Sequence, residues 1–196
     1  MGGGRQAFPF LLNIGMNFNR ISRTVEPTQL PVSVEDVKLQ LNITNPNEDA
    51  FLTNLIEVAT AMIDGPHGIG IALCPQTYEF SLNGLSSNFT IPIYPVRSVD
   101  KIEWTEHDGV DYSSTALRFD RNTNPCQVYH DIRATPREGS AVLTFTAGFT
   151  TVPADLRQAI VMLVGHLYEN REATSAVKLE TVPMAVDTIL ARYRVS

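Results

Sequence analysis

Cysteine is scarce in this chain: Cys74 and Cys126 are the only two among 196 residues. Two thiols make neither a disulfide framework nor a zinc pattern, and they read as free thiols of a reducing compartment. Basic residues are outnumbered, 15 Lys and Arg against 21 Asp and Glu, for a net charge of −6 and a pI near 5.2. A protein that coats nucleic acid needs a basic stripe to neutralise phosphates, so that class is excluded. The deficit is uneven, because residues 46–75 hold Glu48, Asp49, Glu57 and Asp64 with no Lys or Arg. No run approaches the roughly 18 apolar residues of a membrane span. Internal repeats and low-complexity tracts are absent. The opening MGGGRQAFPFLLNIGM is broken by Pro9 and Asn13 and followed by no A-x-A site, so it makes a poor signal peptide. Gln6 stands where myristoylation wants Ser or Thr. A soluble chain made in the cytoplasm is expected.

With 43% apolar and 18% charged residues, the chain can bury one real core. Changes of period mark its organisation. In PVSVEDVKLQLNI, Ser33 is an N-cap, Asp36 sits at the third helical position, and Val34, Val37 and Leu41 form a stripe. A second helix is expected from NPNEDAFLTNLIEVATAMID, capped by Asn47, with Phe51, Leu55, Val58 and Met62 along one face and Gly65-Pro66 at its end. The period then switches to two in TYEFSL, FTIPI, SVDKIEWTE, CQVYHDI and SAVLTFTAGF, separated by turns such as Asn83-Gly84 and Asp108-Gly109. These predict a small antiparallel sheet. Pro153 opens a long helix from about Ala154 to Ala173, with a main stripe of Leu156, Ile160, Leu163 and Leu167 widened by Ala159, Val161 and Met162. A short helix, about Ala185 to Tyr193, closes the chain. Helices bracketing a β insertion give an α+β fold: a helical core from 30–73 and 151–196, an inserted β domain at 74–150, and an extended arm at 1–29.

Catalytic patterns are weak. His166 and Glu169 share a helical face, as metal ligands of a hydrolase would, but His67, His107 and His130 offer no second H-x-x-E or H-E-x-x-H. A histidine hydrogen-bonded to Glu169 or Asn170 is the simpler expectation. GPHGIG follows a helix rather than a strand, so it reads as a helix stop and not a phosphate cradle. Ser113, Ser114 and Ser140 lie in no G-x-S-x-G elbow, and Glu103 and Glu106 suit a solvated strand edge. No catalysis, metal or cofactor is expected.

The ordered series LPVSVEDVKLQL, IDGPHGIGIALCPQTYEFSL, IPIYPVRSVDKIEW, LTFTAGF, VPADLRQAIVMLVGHLYENREA and LARYR resembles the phage head–tail connector (adaptor) family across residues 30–196. Two departures are Gly70-Ile71, where relatives often carry Gly-Arg, and residues 1–29, which match no family pattern. The resemblance implies a virion protein at the head–tail junction, assembled as a ring of about twelve copies. Its partners would be further copies, the portal protein and a tail-side stopper or head-completion protein. DNA would pass through the ring without sequence-specific binding. In this setting Tyr168 and Arg171 share a face that can meet a neighbour, the alternative being a Tyr–Arg stack that closes the subunit's own core, and Arg192 and Arg194 are further interface candidates. A monomeric module binding a host factor through its β domain remains an alternative.

The N-terminal segment has its own signal. Phe8, Phe10, Leu12, Ile14, Met16 and Phe18 occupy every even position, a strand with one apolar face. Arg5, Arg20 and Arg23 precede any acid. Such a segment is expected to add to the sheet of another chain, an adjacent copy, the portal or the stopper, with the acid-rich residues 46–75 of a neighbour available to its arginines; the alternative is pairing with the chain's own inserted sheet.

Overall fold

The structure, a computed structural model, describes residues 20–170 and 184–194. It is an α+β fold. In chain order the elements are β1 (Ile21–Val25), α1 (Val34–Leu41), a 3₁₀ turn (Pro46–Glu48), α2 (Asp49–Ala61), β2 (Gln76–Leu82), β3 (Asn88–Ile91), β4 (Val96–Thr105), β5 (Asp111–Ser114), β6 (Arg118–Asp120), β7 (Cys126–Tyr129), β8 (Ala141–Ala147), α3 (Ala154–Glu169) and α4 (Met184–Ala191). Where a single small sheet is expected from the sequence, there are two: a five-stranded sheet in the order β1-β2-β8-β4-β5 and a three-stranded sheet in the order β3-β7-β6, antiparallel throughout.

α1 begins as its sequence requires. The Ser33 hydroxyl accepts from the Asp36 N–H at 3.0 Å, and the Asp36 carboxylate accepts from the Ser33 N–H at 3.5 Å, a complete capping box. Asn42 then ends the helix in the left-handed conformation, where asparagine is tolerated. The expected cap of α2 shifts upstream. Asn45, not Asn47, supplies the capping oxygen, accepting from the Asn47 N–H at 3.0 Å, because Pro46 opens a tight 3₁₀ turn before α2.

The apolar face expected of α2 is not the one that is buried. Leu52, Leu55, Ile56 and Ala59 are buried, whereas Phe51, Val58 and Met62 are 36%, 42% and 39% exposed. Both stripes pass the periodicity test and share Leu55. The packing of α3 against α2 selects the buried one.

α3 is the central helix, touching α1, α2 and α4. Leu156, Ile160 and Leu163 of its expected stripe are buried, with Leu167 partly so, and Ala159, Val161 and Val164 extend the buried arc. Asn170 is its C-cap, donating its N–H to the His166 carbonyl. The expected stretch 171–173 lies outside the described residues. α4 starts and stops slightly ahead of its expected span.

β8 is the spine of the larger sheet, hydrogen-bonded to β2 on one side and β4 on the other. Its sequence AVLTFTA alternates as its position demands: Ala141, Leu143, Phe145 and Ala147 point inward, while Val142, Thr144 and Thr146 are half-buried. Phe145 stacks on Tyr78 of β2 at 5.4 Å between ring centres. Residues 21–25, expected within the arm, are instead the edge strand β1, with Ile21 opposite Phe80 and Val25 opposite Thr77. The larger sheet is therefore not built from the insertion alone.

Candidate functional site

Two apolar cores, one helical and one of sheet residues, meet along residues 69–75. The chain there is extended: the Ala72 N–H donates to the Tyr94 carbonyl at 2.8 Å, and the Tyr94 N–H to the Gly70 carbonyl at 3.0 Å. Alternation divides the side chains, sending Ile71 and Leu73 into the helical core and Ala72 into the sheet core.

A polar cluster crosses this joint. Asp64, just past α2, is 5% exposed. Its carboxylate accepts from Arg23 Nη2 at 2.5 Å, from the Leu73 N–H at 2.7 Å, and from Gln76 Nε2 at 2.9 Å. One side chain thereby ties β1, the joint and β2 to the helical layer. Burial raises the Asp64 carboxyl above the ordinary carboxylate range, against the pull of its hydrogen-bond donors and of Arg23. Arg23 also pairs with Glu26 at 2.9 Å and lies over the Tyr78 ring. No feature of the local sequence marks Asp64, whose ion-pair partner stands forty-one residues upstream.

The glycine-rich stretch after α2 spends its donors on itself. The Gly68 and Gly70 N–H groups both donate to the Gly65 carbonyl, and the Gly65 N–H to the Ile71 carbonyl. Cys74 and Cys126 are free and buried, and burial pushes each thiol up to about 11.

At the end of α3, Asn170 Nδ2 donates to the His166 carbonyl at 2.8 Å and lies 3.4 Å from His166 Nδ1. Glu169 is exposed. Among the described residues, no three His, Cys, Asp or Glu side chains gather as a metal set would. The main bond of Asn170 is to backbone, so His166→Ala is expected to cost less than about 1 kcal/mol. A thermal melt and metal analysis of the variant check this; bound metal lost with the imidazole would contradict it.

Tyr168, expected to face a neighbour, has partners in its own chain. Its hydroxyl donates to Glu48 at 2.5 Å, and its ring lies 6.2 Å from that of Phe51. Arg171, its expected companion, lies outside the described residues, as do Phe8, Phe10, Leu12, Ile14, Met16 and Phe18. At the other end of the helical layer, the Tyr193 hydroxyl donates to Asp155 at 2.7 Å, and burial together with that carboxylate pushes the phenol up to about 12. Arg192 is 3.7 Å from Asp155 with its side chain 73% exposed, and Arg194 is 4.0 Å from Asp187. A shallow cleft of about 370 Å³ lies between α2 and α3, lined by Phe51, Leu55, Val58, Leu167 and Asn170. Sequence reasoning put Phe51, Val58 and Met62 on one apolar face with Leu55, and the structure leaves that face partly exposed.

A family model described as head completion protein matches residues 31–196. No curated protein matches the chain. Among solved structures, the fold is similar to a chain in the neck of an empty gene transfer agent particle computed with C6 symmetry, at 22% identity, covering 90% of this chain and 95% of that one, with a TM-score of 0.72. The same figures hold for a chain in the virion of a native gene transfer agent particle. A chain in the neck of a native particle computed with C12 symmetry matches at 22% identity over 88% of this chain and 95% of that one, with a TM-score of 0.61.

Proposed function

Because the chain belongs to the head completion protein family, we propose that it is a structural head–tail connector subunit of a tailed-phage or phage-like particle. It acts without catalysis or a cofactor, as one copy in a closed ring of about twelve. The ring sits between the portal and a tail-side stopper protein, at the head–tail junction of the virion. Family membership is the observation that carries this reading, and the fold likeness to gene transfer agent neck chains supports it.

The charge suits the role. A ring in which every copy carries −6 surrounds its bore with negative potential, and a conduit that must release DNA gains nothing from holding phosphates. Interface duties fall to the Phe8–Phe18 stripe, to Tyr168 and Arg171, and to Arg192 and Arg194.

Negative-stain imaging of the purified protein with and without its portal tests the proposal. Rings stacked coaxially on the portal are the expected result. A chain that stays monomeric beside the portal would refute it, and would favour a binding module instead.

A further inference from the structure

The turn that follows β2 begins Asn83-Gly84, and no other asparagine in the chain precedes a glycine. We propose that this dipeptide is a site of spontaneous covalent modification, at which the chain's own Gly84 nitrogen displaces the side-chain amide of Asn83. The aspartyl and isoaspartyl products alter the contact that pins the start of β1.

The reaction needs only the chain and water. Hydroxide takes the proton of the Gly84 N–H, and the nitrogen attacks Cγ of Asn83 to close a succinimide ring. The Cγ–Nδ2 bond breaks, and the leaving nitrogen departs as ammonia with a proton returned from solvent. Water then opens the ring. Cleavage of the bond from the Gly84 nitrogen to Cγ restores the peptide and leaves aspartate. Cleavage of its bond to the main-chain carbonyl carbon leaves isoaspartate, in which the main chain runs through the former side chain. No oxidant, reductant or cofactor enters. Attack between adjacent groups draws on proximity alone.

The structure leaves this peptide open to the reaction. Asn83 and Gly84 are exposed, lie outside any helix or strand, and line a cleft of about 360 Å³ with Arg20, Phe80 and Phe89, through which water and hydroxide reach them. The Gly84 N–H makes no hydrogen bond to the described residues, so no bond has to break before it turns on Asn83. A Cβ at Gly84 would meet nothing within 4 Å, which leaves room for the ring, and glycine has the backbone latitude that closing it demands. Other asparagines are worse placed. Pro46 and Pro125 follow Asn45 and Asn124 and have no N–H to attack with. The N–H of Leu55, after Asn54, lies inside α2, and that of Ile43, after Asn42, is bonded to the Lys38 carbonyl. Phe89 and Thr123 bring bulk beside the nitrogens that follow Asn88 and Asn122.

Arg20 gives the site its consequence. Its Nη1 donates to Asn83 Oδ1, tying the residue before β1 to the residue after β2. An aspartate keeps that contact and makes it charge-assisted. An isoaspartate lengthens the main chain by a methylene and carries its carboxylate directly on Cα, short of the guanidinium. Either product adds a negative charge to a chain already at −6.

In the test, the full chain is kept at mildly alkaline pH and physiological temperature, then digested and mapped by mass spectrometry. A gain of about 1 Da, the exchange of NH₂ for OH, is expected on the peptide holding residues 83–84, split between two products that elute apart. Running the incubation in heavy-oxygen water raises the gain by the isotope's extra mass and marks conversion that occurs in the tube. Gly84→Ala is expected to slow conversion by about tenfold or more and to leave the circular dichroism spectrum unchanged, since its Cβ finds open space. No gain at Asn83, an equal gain at Asn88 or Asn122, or a wild-type rate in Gly84→Ala would overturn the site. Hydrogen exchange of Ile21–Val25 reads the anchor, with Asn83→Asp supplying the aspartyl form. Exchange is expected to quicken about fivefold in the isoaspartyl form, the loss of one hydrogen bond, and not in the aspartyl form. Equal exchange in all forms would overturn the effect on β1.

Discussion

Asp64→Ala is expected to lower the unfolding free energy by about 3–5 kcal/mol, because it strands a partly buried guanidinium and two buried donors. At about 2–4 °C per kcal/mol for a chain of this size, the melting temperature falls by roughly 6–20 °C. Circular dichroism melts at neutral pH measure it. The loss is the cost of leaving Arg23 Nη2, the Leu73 N–H and Gln76 Nε2 without their acceptor while Arg23 keeps only Glu26, not the worth of the pair. Burial raises the Asp64 carboxyl above its unfolded value in spite of three donors, so ionisation at this site works against folding. The sign follows: stability from this group is fully present below the unfolded pKa and is lost as pH rises through the higher folded one. Asp64→Leu combined with Arg23→Met should therefore recover much of what the single change loses. A single variant as stable as the wild type would show that the joint does not depend on this cluster.

Gly148→Ala comes next in size, with an expected cost of about 3–5 kcal/mol. Gly148 has φ +126°, a conformation side chains rarely adopt, and a Cβ there would overlap the Cys74 carbonyl and crowd the Pro75 nitrogen. Both obstacles are backbone, so neither can swing aside. Two more bonds fix the spot: the Gly148 N–H donates to the Pro95 carbonyl at 2.9 Å, and the Phe149 N–H to the Leu73 carbonyl at 3.3 Å. Gly109→Ala is the control. It has φ +83° in open space on a hairpin tip, so it incurs only the conformational part, about 1–2 kcal/mol. Equal losses from the two variants would remove the steric argument.

The parts legible in the sequence are those fixed by neighbours in the chain. The Ser33–Asp36 capping box closes within four residues, the alternation of Ala141–Ala147 needs only a two-sided strand, and the Leu156–Leu163 stripe needs only a helix. Long-range choices were not legible. The broad apolar arc of α2 allowed two inner faces, and only the position of α3 decides between them. β1 reads ISRTV, with one buried residue, and is a strand because β2 holds its backbone. β5 and β6, reading DYSS and RFD, are short and carry too little alternation to show. Asp64 stood out only as one of four acids in residues 46–75, and Tyr168 finds its carboxylate one hundred and twenty residues away. The family segments IDGPHGIGIALCPQTYEF and LTFTAGF, distant in sequence, meet where Gly148 covers Cys74.

The main chain passes between sheet and helices three times, from β1 to α1, from α2 to β2, and from β8 to α3. Mechanically, these are three tethers in parallel rather than one hinge. A twist applied to the sheet has no free axis to turn about, since rotation around one tether stretches the other two. Asp64 and the Cys74–Gly148 contact cross-brace those tethers at mid-span. Load entering one layer passes to the other through all three connections, so any give in an assembly of such subunits is expected to lie between them.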